Sequence, residues 1–143
     1  MKVCDILQTK GTAVITIQPE ATLRDALQTL VSSHVGALVV INTRGKVLGI
    51  ITERDLLRLC AARSDEIDST LVADSMTTNL IIGVSEDEIG YVMGIMTNNR
   101  IRHLPIMEGD RLQGIISIGD LVKAQLEETE FENRYLKDYI QRQ

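Results

Sequence analysis

Thr52 and Asp55 stand three residues apart in GIITERDLLR (49–58), and Ser117 and Asp120 repeat that spacing in GIISIGDLVK (114–123). A hydroxyl followed at this distance by a carboxylate has two chemical uses. It can close a helix N-terminus, the hydroxyl accepting from the third helical N–H and the acid accepting from the N–H of the hydroxyl residue. It can also bind. The free N–H groups and positive end of a helix dipole suit a phosphate, and a carboxylate can accept from two vicinal ribose hydroxyls. Capping alone does not require the matching Gly49-Ile50-Ile51 and Gly114-Ile115-Ile116 ahead of the hydroxyls. Nor does it exclude binding, so each copy is a candidate nucleotide half-site.

The elements that hold these groups repeat as well. Setting Val14 on Leu80 gives an ungapped match through Leu38 on Leu104. Within it Leu23, Ala26, Leu27 and Leu30 meet Ile89, Val92, Met93 and Met96, which is the i, i+3, i+4, i+7 pattern of an amphipathic helix. VGALVVI (35–41) and IRHLPIM (101–107) have the composition of buried strands. Each is followed by a hairpin turn, a second strand (VLGIIT, LQGIIS) and a helix. Upstream, VCDILQT and VADSMTT echo each other as lead-in turns. The pattern predicts a mixed α/β fold of two pseudo-symmetric repeats, each a small three-stranded sheet with two helices. At about 65 residues neither repeat buries its apolar faces well alone, so the two are expected to pack face to face. The expected division is 1–70 for the first repeat with its lead-in and connecting helix, 71–125 for the second, and 126–143 for a helical tail.

Composition narrows the function. A formal charge of −5 and a pI near 5.0 argue against nucleic-acid or membrane-surface binding, which favour a basic face. No apolar run approaches the roughly 18 residues of a membrane span, and the N-terminus has no signal-peptide pattern. Cys4 and Cys60, among apolar neighbours, are expected as reduced, buried thiols in a cytoplasmic protein rather than redox sensors. His34 and His103 are the two histidines, and neither has a carboxylate cluster at ligand spacing, so no metal site is expected. No nucleophile with a base and an orienting acid can be assembled from the motifs.

The doubled Gly-x-x-[Thr/Ser]-x-x-Asp after a short strand, with RIRHLPI in the second copy, resembles a tandem cystathionine-β-synthase (CBS) domain pair, or Bateman module, over residues 1–128. That resemblance implies a regulatory module, not an enzyme. It would bind adenosine-containing ligands (AMP, ADP, ATP, NAD(H) or S-adenosylmethionine) in clefts between the repeats, with no catalytic cofactor. Asp55 and Thr52 would hold ribose and phosphate in one cleft, and Asp120 and Ser117 in the other. Segments around Thr12, Ala13 and Val14 and around Thr78, Leu80 and Ile81 would line the adenine pockets through backbone groups. Arg102 and His103 precede the LPI strand and would reach phosphates, where the first copy has Gly36 and Ala37. Arg54 faces Gly119 in the same comparison, so the two clefts would differ in charge. Lys10, ahead of the first strand, is either a solvated turn residue or a phosphate contact.

The tail AQLEETEFENRYLKDYIQRQ (124–143) contains no Gly or Pro and should prolong the last helix. Phe131, Tyr135 and Tyr139 are three of the chain's four aromatics. The tail either folds back on its own domain or forms a homodimer contact, and the aromatic content favours the dimer. An unidentified regulated protein is a further expected partner. The alternative to a sensor is a structural dimerisation module whose clefts stay empty.

Overall fold

The computed structural model describes residues 1–142, which form a mixed α/β fold with small sheets and six α-helices. The described residues group into two units. One comprises Ala13–Ile81 with Gly109–Leu112, and the other Met1–Thr12, Ile82–Glu108 and the chain from Gln113. None of the described helices is long and apolar enough to cross a membrane.

The Ala13–Ile81 unit contains β1 (Thr16–Ile17), α2 (Leu23–Ser33), β2 (Ala37–Ile41), β3 (Val47–Thr52), α3 (Glu53–Arg63) and the short α4 (Val72–Ser75). The helix numbering starts with α1 (Val3–Lys10) in the other unit. Its sheet has the order β1-β2-β3, with β1 parallel and β3 antiparallel to β2. The predicted helical stripe is the one buried: Leu23, Ala26 and Leu30 pack with Leu38, Val40, Ile51, Leu56 and Val72. Register places Ala37 opposite Thr52 and Val39 opposite Ile50, which carries the end of β3 to the start of β2.

The other unit contains α1, α5 (Ile89–Asn99), β4 (His103–Glu108), β5 (Arg111–Ser117) and α6 (Ile118–Gln141). The predicted stripe of α5 is again inside, through Ile89, Val92 and Met96. Two features differ from expectation. The lead-ins are helices, not turns. In α1, Val3, Ile6 and Leu7 are buried at i, i+3, i+4, and Gly11 ends the helix at φ 96°. The third strand expected in the second copy is reduced to a single bridge between Gly83 and Ile106. A Cβ at Gly83 would lie 2.9 Å from both Ile106 Cδ1 and Leu104 Cδ2, so the backbone touches the sheet only at this glycine. The chain then leaves at once, because Asp87 Oδ2 accepts from Val84 N at 2.9 Å and closes a turn.

α6 runs as one 24-residue helix. Leu121 and Ala124 are buried in its first turns, whereas Phe131 is 73% and Ile140 71% exposed. The tail therefore does not fold back onto its own unit.

Candidate functional site

Both repeated hydroxyl–acid pairs cap helices. Asp55 N donates to Thr52 Oγ1 at 3.3 Å and Thr52 N to Asp55 Oδ2 at 3.0 Å, closing the N-terminus of α3. Ser117 and Asp120 do the same for α6 at 3.1 and 2.8 Å. Each box uses Oδ2 of its aspartate, which leaves Oδ1 for a second acceptor role. In each copy the first helical N–H also bonds to the matched residue just before the first strand of the hairpin. Glu53 N donates to Gly36 O at 3.0 Å, and Ile118 N to Arg102 O at 2.9 Å. The residues paired in sequence as Gly36 and Arg102 thus occupy equivalent places beside equivalent helix N-termini.

A third box, Thr22 with Asp25, caps α2 with the same geometry, 3.2 and 2.9 Å. Capping geometry alone therefore does not single out a binding position. The two repeated boxes differ from the third in the glycine three residues ahead, since Pro19 stands there in the third box. A Cβ on Gly49 would lie 2.6 Å from Thr77 O and 2.9 Å from Met76 Sδ. One on Gly114 would lie 2.7 Å from Leu7 Cδ2. At both glycines another segment crosses the strand just ahead of the capped helix. At Gly49 it is the segment leading to Thr78, fixed by Ile50 N to Thr77 O at 3.0 Å and Thr77 N to Ile50 O at 2.9 Å. At Gly114 it is α1.

This second crossing delivers Lys10 to Asp120. Lys10 Nζ lies 2.6 Å from Asp120 Oδ2 and donates to Ile115 O at 2.8 Å. The solvated-turn reading of Lys10 is thereby corrected: it is the last residue of α1, and the helix aims it at the cap of α6. Burial pushes the Asp120 carboxyl up. The Lys10 hydrogen bond, the Ser117 N–H, the Lys10 charge and the Ser117 hydroxyl outweigh it and hold the group below the usual carboxylate value. Asp55 has no ion pair among the described residues. A groove of about 410 Å³ opens beside the Lys10–Asp120 pair, lined also by Asp5, Thr9, Lys123 and Glu127.

The other candidates divide between the units. Ala13, Val14, Gly36, Ala37, Arg54, Thr78, Leu80 and Ile81 accompany Thr52 and Asp55, whereas Thr12, Arg102, His103 and Gly119 accompany Lys10, Ser117 and Asp120. Arg54, Arg102 and Gly119 are exposed, His103 is half-buried, and Ala37 is buried beneath the sheet register. Asp5 and Thr9 lie outside the expected site because a lead-in turn would not carry them there, and Lys123 and Glu127 of α6 join them through the packing of α1. The 3.6-residue spacing of Val3, Ile6 and Leu7 is the signal that reveals the helix carrying Asp5 and Thr9. Among the described residues no group of three metal-ligating side chains converges.

Comparison with known proteins places this geometry in context. The family model for the CBS domain matches residues 3–62 and again 72–127. The chain is 35% identical to the mitochondrial CBS domain-containing protein CBSX3 of Arabidopsis thaliana, over 97% of this chain and 71% of that protein. The crystal structure of the CBS-domain containing protein ATU1752 from Agrobacterium tumefaciens aligns with a TM-score of 0.84 at 41% identity, over 87% of this chain and 99% of that one. CBSX2, crystallised in complex with AMP, aligns with a TM-score of 0.73 at 25% identity, over 90% and 98%.

Proposed function

Because the chain belongs to the CBS-domain family, as a tandem pair, we propose that it is a regulatory module that binds adenosine-containing nucleotides at the Thr52–Asp55 and Ser117–Asp120 helix N-termini. The observation that carries this reading is the glycine ahead of each repeated box, against which a second segment packs too closely for a Cβ, whereas Pro19 stands at that place ahead of the Thr22–Asp25 box. In the Ala13–Ile81 unit Thr77 is bonded to Ile50, two residues ahead of Thr52, and leads directly into residues 78–81, whose backbone groups are the proposed base contacts. CBSX2 with AMP supports an adenosine-containing ligand, and AMP, ADP, ATP and NAD(H) are the proposed candidates.

Each group has a distinct part. Oδ1 of Asp55 or Asp120 accepts from ribose hydroxyls while Oδ2 keeps the cap. Thr52 and Ser117, at the positive ends of α3 and α6, face phosphate. Lys10 holds the Asp120 carboxylate ionised, and Arg54, Arg102 and His103 add cationic or donor groups at the surface. The reading contains no chemical step: the output is a change in shape or association, passed to a second copy or to a regulated protein. The exposed apolar residues of α6 support a homodimer. Its acidic stretch, Glu127, Glu128, Glu130 and Glu132, is followed by Arg134, Lys137 and Arg142, so antiparallel pairing of two copies brings opposite charges together.

One observation favours a purely structural role: both boxes are complete as caps without a ligand. Calorimetric titration of AMP into wild type, Asp55→Asn and Asp120→Asn separates the readings. A binding role predicts that each substitution removes or weakens one site while the protein stays folded. Equal heats from all three proteins would leave only the cap.

A further inference from the structure

The turns of the two hairpins carry cations that the nucleotide reading does not use. In the β2–β3 turn, Asn42 Oδ1 accepts from Arg44 N and Lys46 N, each at 2.9 Å. Asn42 N donates to Lys46 O and Gly45 N to Asn42 O, both at 3.0 Å, with Gly45 at φ 79°. This closed loop fixes the backbone from which Arg44 and Lys46 project. The β4–β5 turn reverses through Gly109 at φ 58° and presents Asp110 and Arg111.

Arg44, Lys46, Asp110 and Arg111 line one pocket of about 620 Å³, with Thr16 and Leu112 in its wall. All of them belong to the Ala13–Ile81 unit with its Gly109–Leu112 segment. None of the three cations makes an ion pair among the described residues. In a chain of net charge −5, three cations against one carboxylate, Asp110, in the lining of one groove are a local reversal of sign. Their mutual repulsion is relieved by a multiply charged anion, and a concave wall concentrates their field.

We propose that this groove binds a small oligophosphate. Guanidinium forks match phosphate oxygens in pairs, Lys46 adds a point charge, and the Thr16 hydroxyl is a neutral donor. The pocket is of small-ligand size, and three cations in an acidic chain are too few to hold a nucleic acid. The site is separate from the proposed nucleotide half-sites. Lys46 immediately precedes β3 and Thr52 ends it, and Arg111 and Ser117 are the two ends of β5, each pair about 20 Å apart at strand rise.

The test is an amide NMR titration of the full chain with sodium tripolyphosphate at low ionic strength, with sodium chloride as the control. Saturable shifts are expected at residues 43–46 and 110–112, weakening as salt is added. Arg44→Ala/Arg111→Ala should lower the affinity about tenfold with the rest of the spectrum unchanged. Three results would overturn the assignment. They are no saturable shift at the turns, a double variant that titrates like wild type, or shifts centred on residues 52–55 or 117–120. The last would send the phosphate to the nucleotide half-sites, whereas failure of those half-sites to bind AMP leaves the groove untouched.

Discussion

Asp120 accepts from Ser117 N and Lys10 Nζ, whereas Asp55 accepts from Thr52 N and has no cationic partner among the described residues. That difference has a pH signature. The folded-state pKa of Asp120 is depressed, so its contribution to stability is fully present above the unfolded carboxylate value of about 3.9 and is lost as pH falls through the lower folded value. Lys10→Met removes the cation, so the Asp120 pKa, followed by carboxyl NMR, should rise. The variant should be less stable than wild type by under about 1 kcal/mol at neutral pH, because the pair is part-exposed. The gap should close in acid, and a gap that persists there would assign it to lost packing instead. Thr52→Ala should cost about 1 kcal/mol in chemical denaturation through the lost cap, and no change would remove the cap from the account. Both boxes were legible in the sequence because a cap is a local, three-residue pattern. The target of Lys10 was not, since Asp120 lies 110 residues away and only the path of α1 joins them.

At the scale of elements, the repeated glycine is explained by crossings, and the two crossings are unequal. Gly49 meets the backbone oxygen of Thr77, which the Ile50–Thr77 bonds hold in place, whereas Gly114 meets the end of a leucine side chain. Gly49→Ala should therefore destabilise by about 1–3 kcal/mol in denaturant unfolding, the range for forced overpacking. Gly114→Ala should cost less, because Leu7 can change rotamer. The reverse order would mean that the strands, not the crossings, require glycine. Helices α2 and α5 and all four hairpin strands followed from periodicity and composition. The lost third strand did not, because Gly83 meets the sheet at one residue and that approach depends on Leu104 and Ile106. The lead-in helix α1 was missed for a different reason: eight residues with a single buried face resemble a turn unless their spacing is counted.

For the whole molecule, two properties remain: what α6 meets and what the half-sites hold. The continuation of α6 was legible from the absence of Gly and Pro, but its exposure was not, because that depends on where the helix points after Ala124. The proposed α6 dimer predicts a wild type that sediments at twice 15.9 kDa and a Phe131→Ser/Leu136→Ser/Ile140→Ser variant that sediments at 15.9 kDa. A variant that sediments like wild type would place any association elsewhere. The central claim, adenosyl-nucleotide binding, is tested most directly by thermal unfolding after stripping bound ligand, with AMP, ADP, ATP, NAD⁺, NADH and S-adenosylmethionine beside guanosine analogues. A ligand at about 100 times its dissociation constant adds about 2.7 kcal/mol, a shift readily seen for a chain of this size. The account predicts a rise with one or more adenosyl compounds, absent with guanosine analogues and lost in Asp55→Asn/Asp120→Asn. No rise with any of them, and no nucleotide released on stripping, would contradict it.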